Sequence, residues 1–483
     1  MSATEQETLI TSVVQEVLKQ VGSGTAAPAL SELAAGVPSS GAASPQGPGL
    51  FTDVDQAVRT ATVSQLQLAD AGIDTRDAIC KLLKQMAKQN ATSWGRIEFD
   101  ETKIGRLDHK VAKLELLDTV PGVEFLRTGA FSGDQGITLD EMAPWGVIGV
   151  ITPVTHSIPT LTSNAISMIA AGNAMVVNPH PSGAACAAMA AAEYNRAIKD
   201  QFRIDPLICV INPPTLKTAE QVFKHPQIGL LAVTGGPGVA RAAMKQQKRA
   251  IVAGPGNPPV VVDETADFDN AARSIIQGAS FDNNLMCIGE KEIFVISSVF
   301  DRLTDAFRRA GAVELTADQI RRLADVAFTY EKDHYAVNKQ YVGADPHVLG
   351  REAGANVAQG VDMLFGETDE TSPWVTEEQM MPFVPLVRCR DFDHALELSI
   401  KYEHGFGHTA VIHSNNLEHI TRMGRAMNVT LFIANGPSTA CLGAGGEGNA
   451  SYSIATPTGE GVTNPLTFSR FRRFSVSGAL RVV

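Results

Sequence analysis

The feature that most constrains the fold is a regular alternation of short apolar runs with helical, alanine-rich stretches. Four runs are bounded by turn residues: GVIGVITP (146–153), AMVVNPHP (174–181), LICVINPP (207–214) and IGLLAVTGG (228–236). Strands that alternate with helices in this way are typical of a parallel sheet covered by helices. Such sheets bind nucleotides at the carboxyl ends of their strands. The pattern therefore predicts an α/β fold with a Rossmann-like nucleotide domain, and a second strand-and-helix series is predicted from residue 257 to about 433.

Length and charge narrow the class of protein. A chain of 483 residues exceeds one ordinary domain, so we expect two or three domains with a cleft between them. The chain has 40 Lys and Arg against 52 Asp and Glu, a net charge of −12, and no long basic run. Nucleic acid is therefore not an expected partner, since phosphate binding requires a basic surface. No membrane span is expected either.

The cysteines do not form a metal or disulfide pattern. Six are scattered along the chain, with no C-x-x-C pair and no ligand-like spacing with histidine. This predicts a reducing compartment and no structural zinc. His404 and His408 are four residues apart in HGFGH, but two glycines disfavour the helix that a metal pair would need. The N-terminus lacks the features of a secretory signal, so we expect the protein to stay inside the cell.

The first fifty residues differ from the rest. Apolar residues between 9 and 21 fall on one stripe of a 3.6-residue helix, and a stretch rich in Gly, Ala, Pro and Ser follows. This predicts an amphipathic helix over 1–21 and a flexible linker over 22–50. The stripe must dock to be stable, either on its own domain or on a partner. A membrane surface is less favoured, because the polar face is not rich in Lys or Arg.

A glycine-rich turn follows the fourth apolar run. The strand is predicted to end at Thr234, with Gly235 and Gly236 before the start of a helix. Such a turn favours a phosphate, because backbone amides are free and the helix dipole is positive there. The spacing is not G-x-G-x-x-G, since Arg241 takes the last glycine position. A turn without a ligand remains the alternative.

One cysteine is a candidate nucleophile. Free cysteines are usually buried, and we interpret Cys80, Cys186, Cys209, Cys389 and Cys441 as core packing. Cys287 differs, because it follows FDNN and precedes IGEKE, a polar approach with a small residue nearby. Backbone amides in such a loop can stabilise an oxyanion. The pattern therefore favours a reactive thiol at this position.

Five stretches together resemble a known family: GNPPVVVDETADFDNAARSI (256–275), GASFDNNLMCIGEKEIFV (278–295), GHTAVIHS (407–414), NGPSTACLGAGGEG (435–448) and TPTGEGVT (456–463). They are similar to the CoA-acylating aldehyde dehydrogenases, and most similar to the propionaldehyde and acetaldehyde dehydrogenases of bacterial microcompartments. The resemblance extends over essentially the whole chain. It implies the aldehyde dehydrogenase fold, NAD and coenzyme A as cofactors, and a short aldehyde, propanal before acetaldehyde, as substrate.

The resemblance also implies a chemistry for Cys287. The thiol would attack the aldehyde to give a thiohemiacetal, hydride would pass to NAD, and the thioester would be transferred to coenzyme A. Because the thiolate is the reactive form, its pKa must be lowered or a base must be near, and the sequence does not identify that base. Hydrolytic relatives have a glutamate that activates water, where this chain has Ala253, 34 residues before Cys287. A hydrolytic dehydrogenase and a catalytically decayed microcompartment interaction protein are the alternatives.

Further site residues follow from the same resemblance. Those expected to bind the dinucleotide are Ile151, Thr152, Pro153, Asn178, Thr234, Gly235, Gly236, Ala253, Gly254 and Glu378. Glu378 corresponds to the glutamate that holds the nicotinamide ribose, with a solvated surface acid as the alternative. Two positions depart from the family pattern. His156 replaces the asparagine that polarises the aldehyde, and it could donate the same hydrogen bond or act as the base. Asn178 replaces a lysine, which leaves the preference for NAD over NADP open.

The domain boundaries are expected as follows: an encapsulation helix over 1–21, a linker over 22–50, the NAD-binding domain over 51–120 and 143–253, the catalytic domain over 254–450, and an oligomerisation arm over 121–142 and 462–483. An arm whose strand extends a neighbour's sheet predicts a homodimer or homotetramer. The N-terminal segment resembles encapsulation peptides. This implies shell or cargo proteins as partners and a location in the bacterial cytoplasm, inside a microcompartment.

Overall fold

The computed structural model describes residues 47–331 and 334–482. The amphipathic helix predicted for 1–21 and most of the linker predicted for 22–50 lie outside the described residues. The predicted linker ends too late, because Leu50 is buried and pairs with Val210 in a strand. The apolar side chain of Leu50 gains from burial at the edge of the sheet, which the surrounding Gly and Pro conceal in the sequence.

Twenty strands are assigned within the described ranges: β1 (Leu50–Phe51), β2 (Gly129–Gly133), β3 (Gly136–Pro144), β4 (Val147–Thr152), β5 (Ala174–Pro179), β6 (Ile208–Ile211), β7 (Ile228–Thr234), β8 (Ala250–Ala253), β9 (Pro259–Val262), β10 (Glu292–Ile296), β11 (Val313–Glu314), β12 (Phe328–Glu331), β13 (His334–Val337), β14 (Leu364–Thr368), β15 (Phe383–Cys389), β16 (Thr409–His413), β17 (Leu431–Ala434), β18 (Ile454–Ala455), β19 (Gly461–Val462) and β20 (Ser469–Ser477).

The α-helices of the same ranges are α1 (Val54–Gln89), α2 (Ala91–Thr102), α3 (Leu107–Glu115), α4 (Ser157–Ala170), α5 (Ala184–Phe202), α6 (Leu216–Lys224), α7 (Pro237–Met244), α8 (Phe268–Ser280), α9 (Phe300–Arg309), α10 (Ala317–Ala327), α11 (Pro346–Ala353), α12 (Pro373–Thr376), α13 (Phe392–Tyr402) and α14 (Leu417–Met427). The first of them is interrupted at Gly72, whose φ of 80° is left-handed. No helix within the described part of the chain is long and apolar enough to cross a membrane.

The first large sheet has six parallel strands in the order β1-β6-β5-β4-β7-β8. The four apolar runs form its β4, β5, β6 and β7, as predicted. Strands β4 and β5 are buried along their whole lengths, which explains why their sequences are continuously apolar rather than alternating. The chain runs outward from β4 to β6 and then returns to add β7 on the other side of β4. The strand order therefore reverses between β4 and β7, which is where ligands bind in sheets of this kind.

The second large sheet has seven parallel strands in the order β11-β14-β15-β10-β9-β16-β17. It follows the first sheet in the chain, since residues 254–258 connect the end of β8 to the start of β9. One continuous apolar core includes strands of both sheets, and a smaller core surrounds Trp374. The short connection brings the carboxyl edge of the first sheet next to the amino edge of the second.

A third, antiparallel sheet is separate from these two. Its strand order is β2-β3-β20, so a hairpin of residues 129–144 pairs with a strand close to the C-terminus. This last strand lies within residues 462–483, which the sequence assigns to the predicted oligomerisation arm. The role of this sheet in oligomerisation, and the domain boundaries given above, stay predictions.

Candidate active site

The predicted nucleotide residues lie at the carboxyl edge of the first sheet. Thr152 ends β4 and Thr234 ends β7, at the point where the strand order reverses. Ala253 ends β8 and pairs with Thr234 in the ladder. Asn178 lies near the end of β5, where its Oδ1 accepts a hydrogen bond of 2.6 Å from the Thr218 hydroxyl. The structure thus brings these residues to one edge, although the sequence spreads them over a hundred positions.

The glycine-rich turn leaves open space at the start of α7. Gly236 precedes the first residue of that helix, and a Cβ added to it would meet no atom within 4 Å. Gly235, one position earlier, is partly exposed. The first amides of a helix have no partner within the helix, so this space can accept an anionic group. The turn therefore fits a dinucleotide phosphate.

Two buried polar atoms near the end of β4 lack partners. The Thr152 hydroxyl and Nδ1 of His156 are buried and make no hydrogen bond with any described residue. Ile151 is buried on the same strand, and Pro153 is partly exposed between Thr152 and the helix α4. Buried polar groups without partners are rare and often mark a place where a ligand binds. This region therefore also fits a bound cofactor or substrate.

His156 is held in its neutral form. Its ring packs against Tyr452, with the ring centroids 5.6 Å apart. Burial, followed by the charges of Lys113 and Lys110, lowers the pKa of His156 well below its usual value. A neutral imidazole can donate one hydrogen bond and accept another. The structure therefore favours a hydrogen-bonding role for His156 over that of a strong base.

Cys287 is less buried than most of the other cysteines. It is partly exposed, whereas Cys80, Cys186, Cys209 and Cys389 are buried as predicted. Cys441 is also partly exposed, and it packs against the edge of the main core, in agreement with the prediction of core packing. It lies in the short 3-10 segment Ser438–Leu442, which has too few residues to cover it.

The thiol of Cys287 is protonated in the free protein. Dense packing around the sulfur raises its pKa to about 12, and the nearby carboxylate of Glu378 acts in the same direction. Lys291 and Lys113 oppose this shift, because positive charge favours the thiolate. A base or a countercharge is therefore needed to form the nucleophile.

The loop before Cys287 has an unusual backbone. Asp282, Asn283 and Asn284 all have left-handed conformations, with φ angles of 51°, 54° and 63°. Asn and Asp tolerate this region better than other non-glycine residues, although each such residue costs roughly 1–2 kcal/mol. All three side chains are buried, so the surrounding structure must hold them.

Buried charges hold the first of these residues. The Asp282 carboxylate accepts hydrogen bonds from Nζ of Lys113, at 2.5 Å, and from the backbone amide of Arg106, at 2.8 Å. Nζ of Lys110 lies 3.0 Å from the same carboxylate. The two lysines also donate to the carbonyl of Thr155, next to His156. The cluster thus joins the loop before Cys287 to the loop that carries His156.

Gly256 lies at the centre of the site. A Cβ added to it would be 2.5 Å from the carbonyl oxygen of Cys287 and 3.0 Å from Cγ of His408, so no larger residue fits. The amide of Gly256 also donates a long hydrogen bond of 3.4 Å to Glu378. Cys287, His408 and Glu378 therefore surround one backbone position. Glu378 is half-buried, which is against the alternative of a solvated surface acid.

Sequence reasoning missed His408, which was considered only as a possible metal ligand. Its Nδ1 is 2.8 Å from the Thr409 hydroxyl, and its Nε2 is buried without a partner among the described residues. Burial lowers its pKa to about 4, so the ring is neutral near pH 7. The histidine precedes β16, whose pairing with β9 brings it towards Gly256. That pairing leaves no local signal in the sequence.

Two neighbouring positions complete the turn after β8. Ala253 is buried, and its methyl group is the whole side chain at the position where hydrolytic relatives have a glutamate. A Cβ added to Gly254 would lie 2.9 Å from Pro457, so the segment TPTGEGVT packs against this turn. Position 253 therefore offers no carboxylate to a bound acyl group.

Comparison with known proteins agrees with this arrangement. A model described as the aldehyde dehydrogenase family matches residues 49–456. An acetaldehyde dehydrogenase (acetylating) of Escherichia coli K12 is 41% identical over 439 residues, which cover 90% of this chain and 94% of the relative. A propanal dehydrogenase (CoA-propanoylating) of Citrobacter freundii is 39% identical over 479 residues, which cover 98% of each.

Solved structures give the same result. A propionaldehyde dehydrogenase from the fucose utilisation bacterial microcompartment of Clostridium phytofermentans has a TM-score of 0.88 and 37% identity, covering 90% of this chain and 100% of that chain. A propionaldehyde dehydrogenase of Rhodopseudomonas palustris, solved with bound CoA and an acylated cysteine, has a TM-score of 0.87 and 36% identity, with coverages of 90% and 99%. The chain is thus similar to these proteins over nearly all of their length.

Proposed function

Because the chain belongs to the aldehyde dehydrogenase family, we propose that it oxidises a short aldehyde, propanal or acetaldehyde, with NAD and transfers the acyl group to coenzyme A. The observation that carries this proposal is a partly exposed cysteine, Cys287, in a site where position 253 is alanine. Such a site can form an acyl thioester and has no carboxylate at that position to direct water at it.

Cys287 forms and breaks the covalent bonds. Its sulfur attacks the carbonyl carbon of the aldehyde, and a proton is taken up by the carbonyl oxygen to give a thiohemiacetal. When bound, NAD supplies the acceptor for the hydride that leaves this carbon, and loss of the oxygen-bound proton completes the thioester. The thiolate of coenzyme A then attacks the thioester carbon, and the sulfur of Cys287 leaves as the acyl-CoA forms.

Two histidines support this chemistry in different ways. We assign His156 to the aldehyde oxygen, because its neutral ring has a buried nitrogen without a partner and can donate a hydrogen bond to that oxygen. We assign His408 to proton transfer at the thiol, because its unpartnered Nε2 is buried beside Gly256, which also contacts Cys287. Both roles follow from the positions of the rings rather than from their basicity.

The dinucleotide would lie along the carboxyl edge of the first sheet. We assign its pyrophosphate to Thr234, Gly235 and Gly236, where open space faces the start of α7. The ribose next to the nicotinamide is assigned to Glu378. The remaining contacts are assigned to the strand ends at Ile151, Thr152, Pro153, Asn178, Ala253 and Gly254.

The test is whether NADH formation from propanal requires both coenzyme A and Cys287. The full chain should form NADH and propionyl-CoA in equal amounts, and Cys287→Ala should lose this activity by more than a thousandfold. Cys441→Ala, which removes the other partly exposed thiol, serves as the matched control and should retain the wild-type rate. Full activity in Cys287→Ala would contradict the proposal.

The residue at position 253 can distinguish the proposed CoA-acylating function from that of a hydrolytic dehydrogenase. Ala253→Glu should introduce formation of propanoate without coenzyme A, because a carboxylate there can activate water by 10²–10⁴-fold. The glutamine of Ala253→Gln is similar in size to glutamate but has no carboxylate, so this variant should not form propanoate without coenzyme A. If the wild-type protein already releases propanoate as fast as it reduces NAD without coenzyme A, the hydrolytic function is correct instead.

The location and partners are a further part of the proposal. We infer that the protein is housed in a bacterial microcompartment, since a similar solved structure comes from one, and that residues 1–21 dock on shell or cargo proteins. Deletion of 1–21 should leave the specific activity unchanged and abolish co-purification with shells. Unchanged encapsulation of the deleted protein would refute the docking role.

A further inference from the structure

Lys291 is a buried lysine whose donors all go to the loop that carries the nucleophile. Its Nζ donates to the carbonyl of Asn284 at 2.8 Å, to Oδ1 of Asn284 at 2.5 Å, and to the carbonyl of Met286 at 3.3 Å. The side chain is fully buried. The carbonyl of Met286 belongs to the peptide bond that joins it to Cys287, so the ammonium lies within one peptide unit of the nucleophile.

The charge of this lysine has no close partner. No carboxylate lies within 4 Å of its Nζ in residues 47–331 and 334–482, although buried lysines elsewhere in the protein, such as Lys110 and Lys113, are paired with Asp282. Burying an ammonium without an ion pair costs several kcal/mol, and three carbonyl-type oxygens compensate only part of this. A negative charge that forms next to this ammonium during the reaction would compensate for the remaining cost of burying it.

We propose that Lys291 is a positioning residue whose ammonium fixes the Asn284–Met286 segment and serves as the countercharge of the Cys287 thiolate. This inference rests on the proposed function, in which that thiolate attacks the aldehyde. Two of these three hydrogen bonds go to Asn284, whose backbone is left-handed, and the third goes to Met286, so the geometry of the loop and its charge depend on one side chain.

Other charged groups lie around Cys287 and Lys291. They determine how strongly Lys291 can lower the pKa of the Cys287 thiol. Cys287 experiences Glu378, which raises its thiol pKa, and Lys291 and Lys113, which lower it. The groups around Lys291 are Glu378, Cys287, Glu292 and Glu290. Burial raises the pKa of Glu290 and of Glu378 to about 7 and raises that of Glu292 well above its usual value, so part of this carboxylate charge is neutralised near pH 7. Burial lowers the pKa of Lys291 to about 8, so its side chain is still mainly an ammonium near pH 7 and opposes the effect of Glu378 on the sulfur.

The test measures the thiolate directly in the full-length protein. The rate of alkylation of Cys287 by iodoacetamide at pH 7.0, followed by mass spectrometry of the peptide that contains it, is proportional to the thiolate fraction. Cys287→Ala gives the background from other cysteines. Lys291→Met should reduce the rate at least about tenfold, the change that corresponds to one pKa unit. Lys248→Met is the matched control, because Lys248 is a half-buried lysine bonded to a carbonyl away from this loop, and it should alkylate at the wild-type rate.

Two further variants separate charge from folding. Lys291→Gln can still donate to the loop but has no charge, so its rate should fall like that of Lys291→Met. Lys291→Arg keeps the charge and should alkylate within about threefold of wild type. If Lys291→Met does not fold, the comparison of Gln with Arg decides the question. Equal rates in the Gln and Arg variants, or wild-type rates in Lys291→Met, would overturn the inference.

The result does not depend on enzyme turnover. If the wild-type protein formed no NADH from propanal in the presence of coenzyme A, the proposed function would fail, whereas the alkylation rates would still report on Lys291. If instead turnover is normal and alkylation is insensitive to Lys291, only the inference about this residue fails.

Discussion

At the scale of single residues, the site depends on buried groups whose protonation is set by burial. His156 is the clearest case, because burial and two nearby ammonium groups disfavour its charged form. This supports the proposal that the ring acts as a hydrogen-bonding group, the role that the resemblance gives to an asparagine at this position. The sequence alone does not distinguish a hydrogen-bonding group from a base at His156, because the two lysines are more than forty residues away from the histidine.

We expect His156→Asn to retain most of the activity and His156→Ala to lose about 10²–10³-fold in kcat, the usual effect of removing one donor to a developing oxyanion. The kcat for propanal of both variants, measured with saturating NAD and coenzyme A, checks this. The pH profile of the Asn variant should match that of the wild type between pH 6 and 9. If the Asn variant is as inactive as the Ala variant, the ring would be acting as a base.

Glu378 gives a prediction on pH. Burial raises the pKa of its carboxyl group to about 7, so the carboxylate that accepts hydrogen bonds from a ribose is present above this pH and lost below it. NAD should therefore bind more tightly as the pH rises from 6 to 8. In Glu378→Gln the KM for NAD should be higher and independent of pH in this range, with a smaller change in kcat. Calorimetric titration with NAD at pH 6 and 8 measures the affinity of the wild type and of Glu378→Gln. The same pH dependence of NAD affinity in both proteins would contradict the assignment of Glu378 to the ribose.

Candidate site residues could be proposed from the sequence only where a local motif carries the signal. Cys287 is marked by the residues on both sides of it, and Ala253 by its register within a glycine-rich segment. His408 and Lys291 were missed for different physical reasons. His408 reaches the site through the pairing of β16 with β9, and the importance of Lys291 appears only when its burial and its three acceptors are known.

At the scale of elements, the loop before Cys287 is held by helices α2 and α3. Asp282 on the loop binds Lys110 and Lys113 on α3, while Glu98 on α2 accepts the amides of Ser157 and Ile158 at the start of α4. These contacts fix the left-handed turn at a definite place relative to His156. A packed cluster of this kind keeps the two sides of the site at a constant distance.

We expect Asp282→Asn to destabilise the protein by about 3–5 kcal/mol near pH 7, because two buried ammonium groups lose their main partner. The pKa of Asp282 is lowered to about 2, below its value in an unfolded chain, so its stabilising effect is complete above about pH 4. The effect is lost as the pH falls through 2. The difference in urea unfolding between variant and wild type should thus be constant from pH 8 to 5. Asp362→Asn removes an exposed ion pair with Arg106 and should change stability by less than about 1 kcal/mol.

The strands and helices of the first sheet could be predicted because each buried strand is a short apolar run between turn residues. The left-handed turn was not predicted, although FDNN contains the residue types that tolerate this conformation. Three such residues in succession are usually only a polar loop. Their role here comes from partners on distant helices, which composition does not indicate.

At the scale of the whole molecule, the site exists because two parallel sheets meet through a short connection. Most of the residues proposed to bind the dinucleotide lie at strand ends of the first sheet, whereas Cys287, Glu378 and His408 precede strands of the second. Residues 254–258 join the two edges, and Gly256 permits the close approach. The alternation of strands and helices predicts both sheets, but their relative placement followed only from the resemblance to a family.

The third sheet presents an apolar surface that a single chain leaves uncovered. Phe131 and Phe471 are 59% and 57% exposed on one face of the sheet, and Arg473 lies over both rings, 5.9 and 5.6 Å from their centroids. Phe474, which is 58% exposed, lies on the opposite face, because it is three residues from Phe471 in the same strand. Exposed aromatic groups of this number on one small sheet are typical of a contact between subunits. This supports the prediction of a homodimer or homotetramer.

We expect Phe471→Glu to lower the oligomeric mass measured by sedimentation velocity at micromolar concentration. The introduced charge would be desolvated at the centre of the contact, at a cost of several kcal/mol that a subunit interface cannot recover without a partner of opposite sign. Leu417→Glu changes an even more exposed apolar residue on α14, a helix that packs against β16 of the second large sheet. This variant should leave the mass unchanged. Because Cys287 and the nucleotide edge belong to the two large sheets, dissociated Phe471→Glu protein should still bind NAD. A wild-type protein that sediments as a monomer, or a Phe471→Glu variant that sediments with the wild-type mass, would show that this surface is not the contact between subunits.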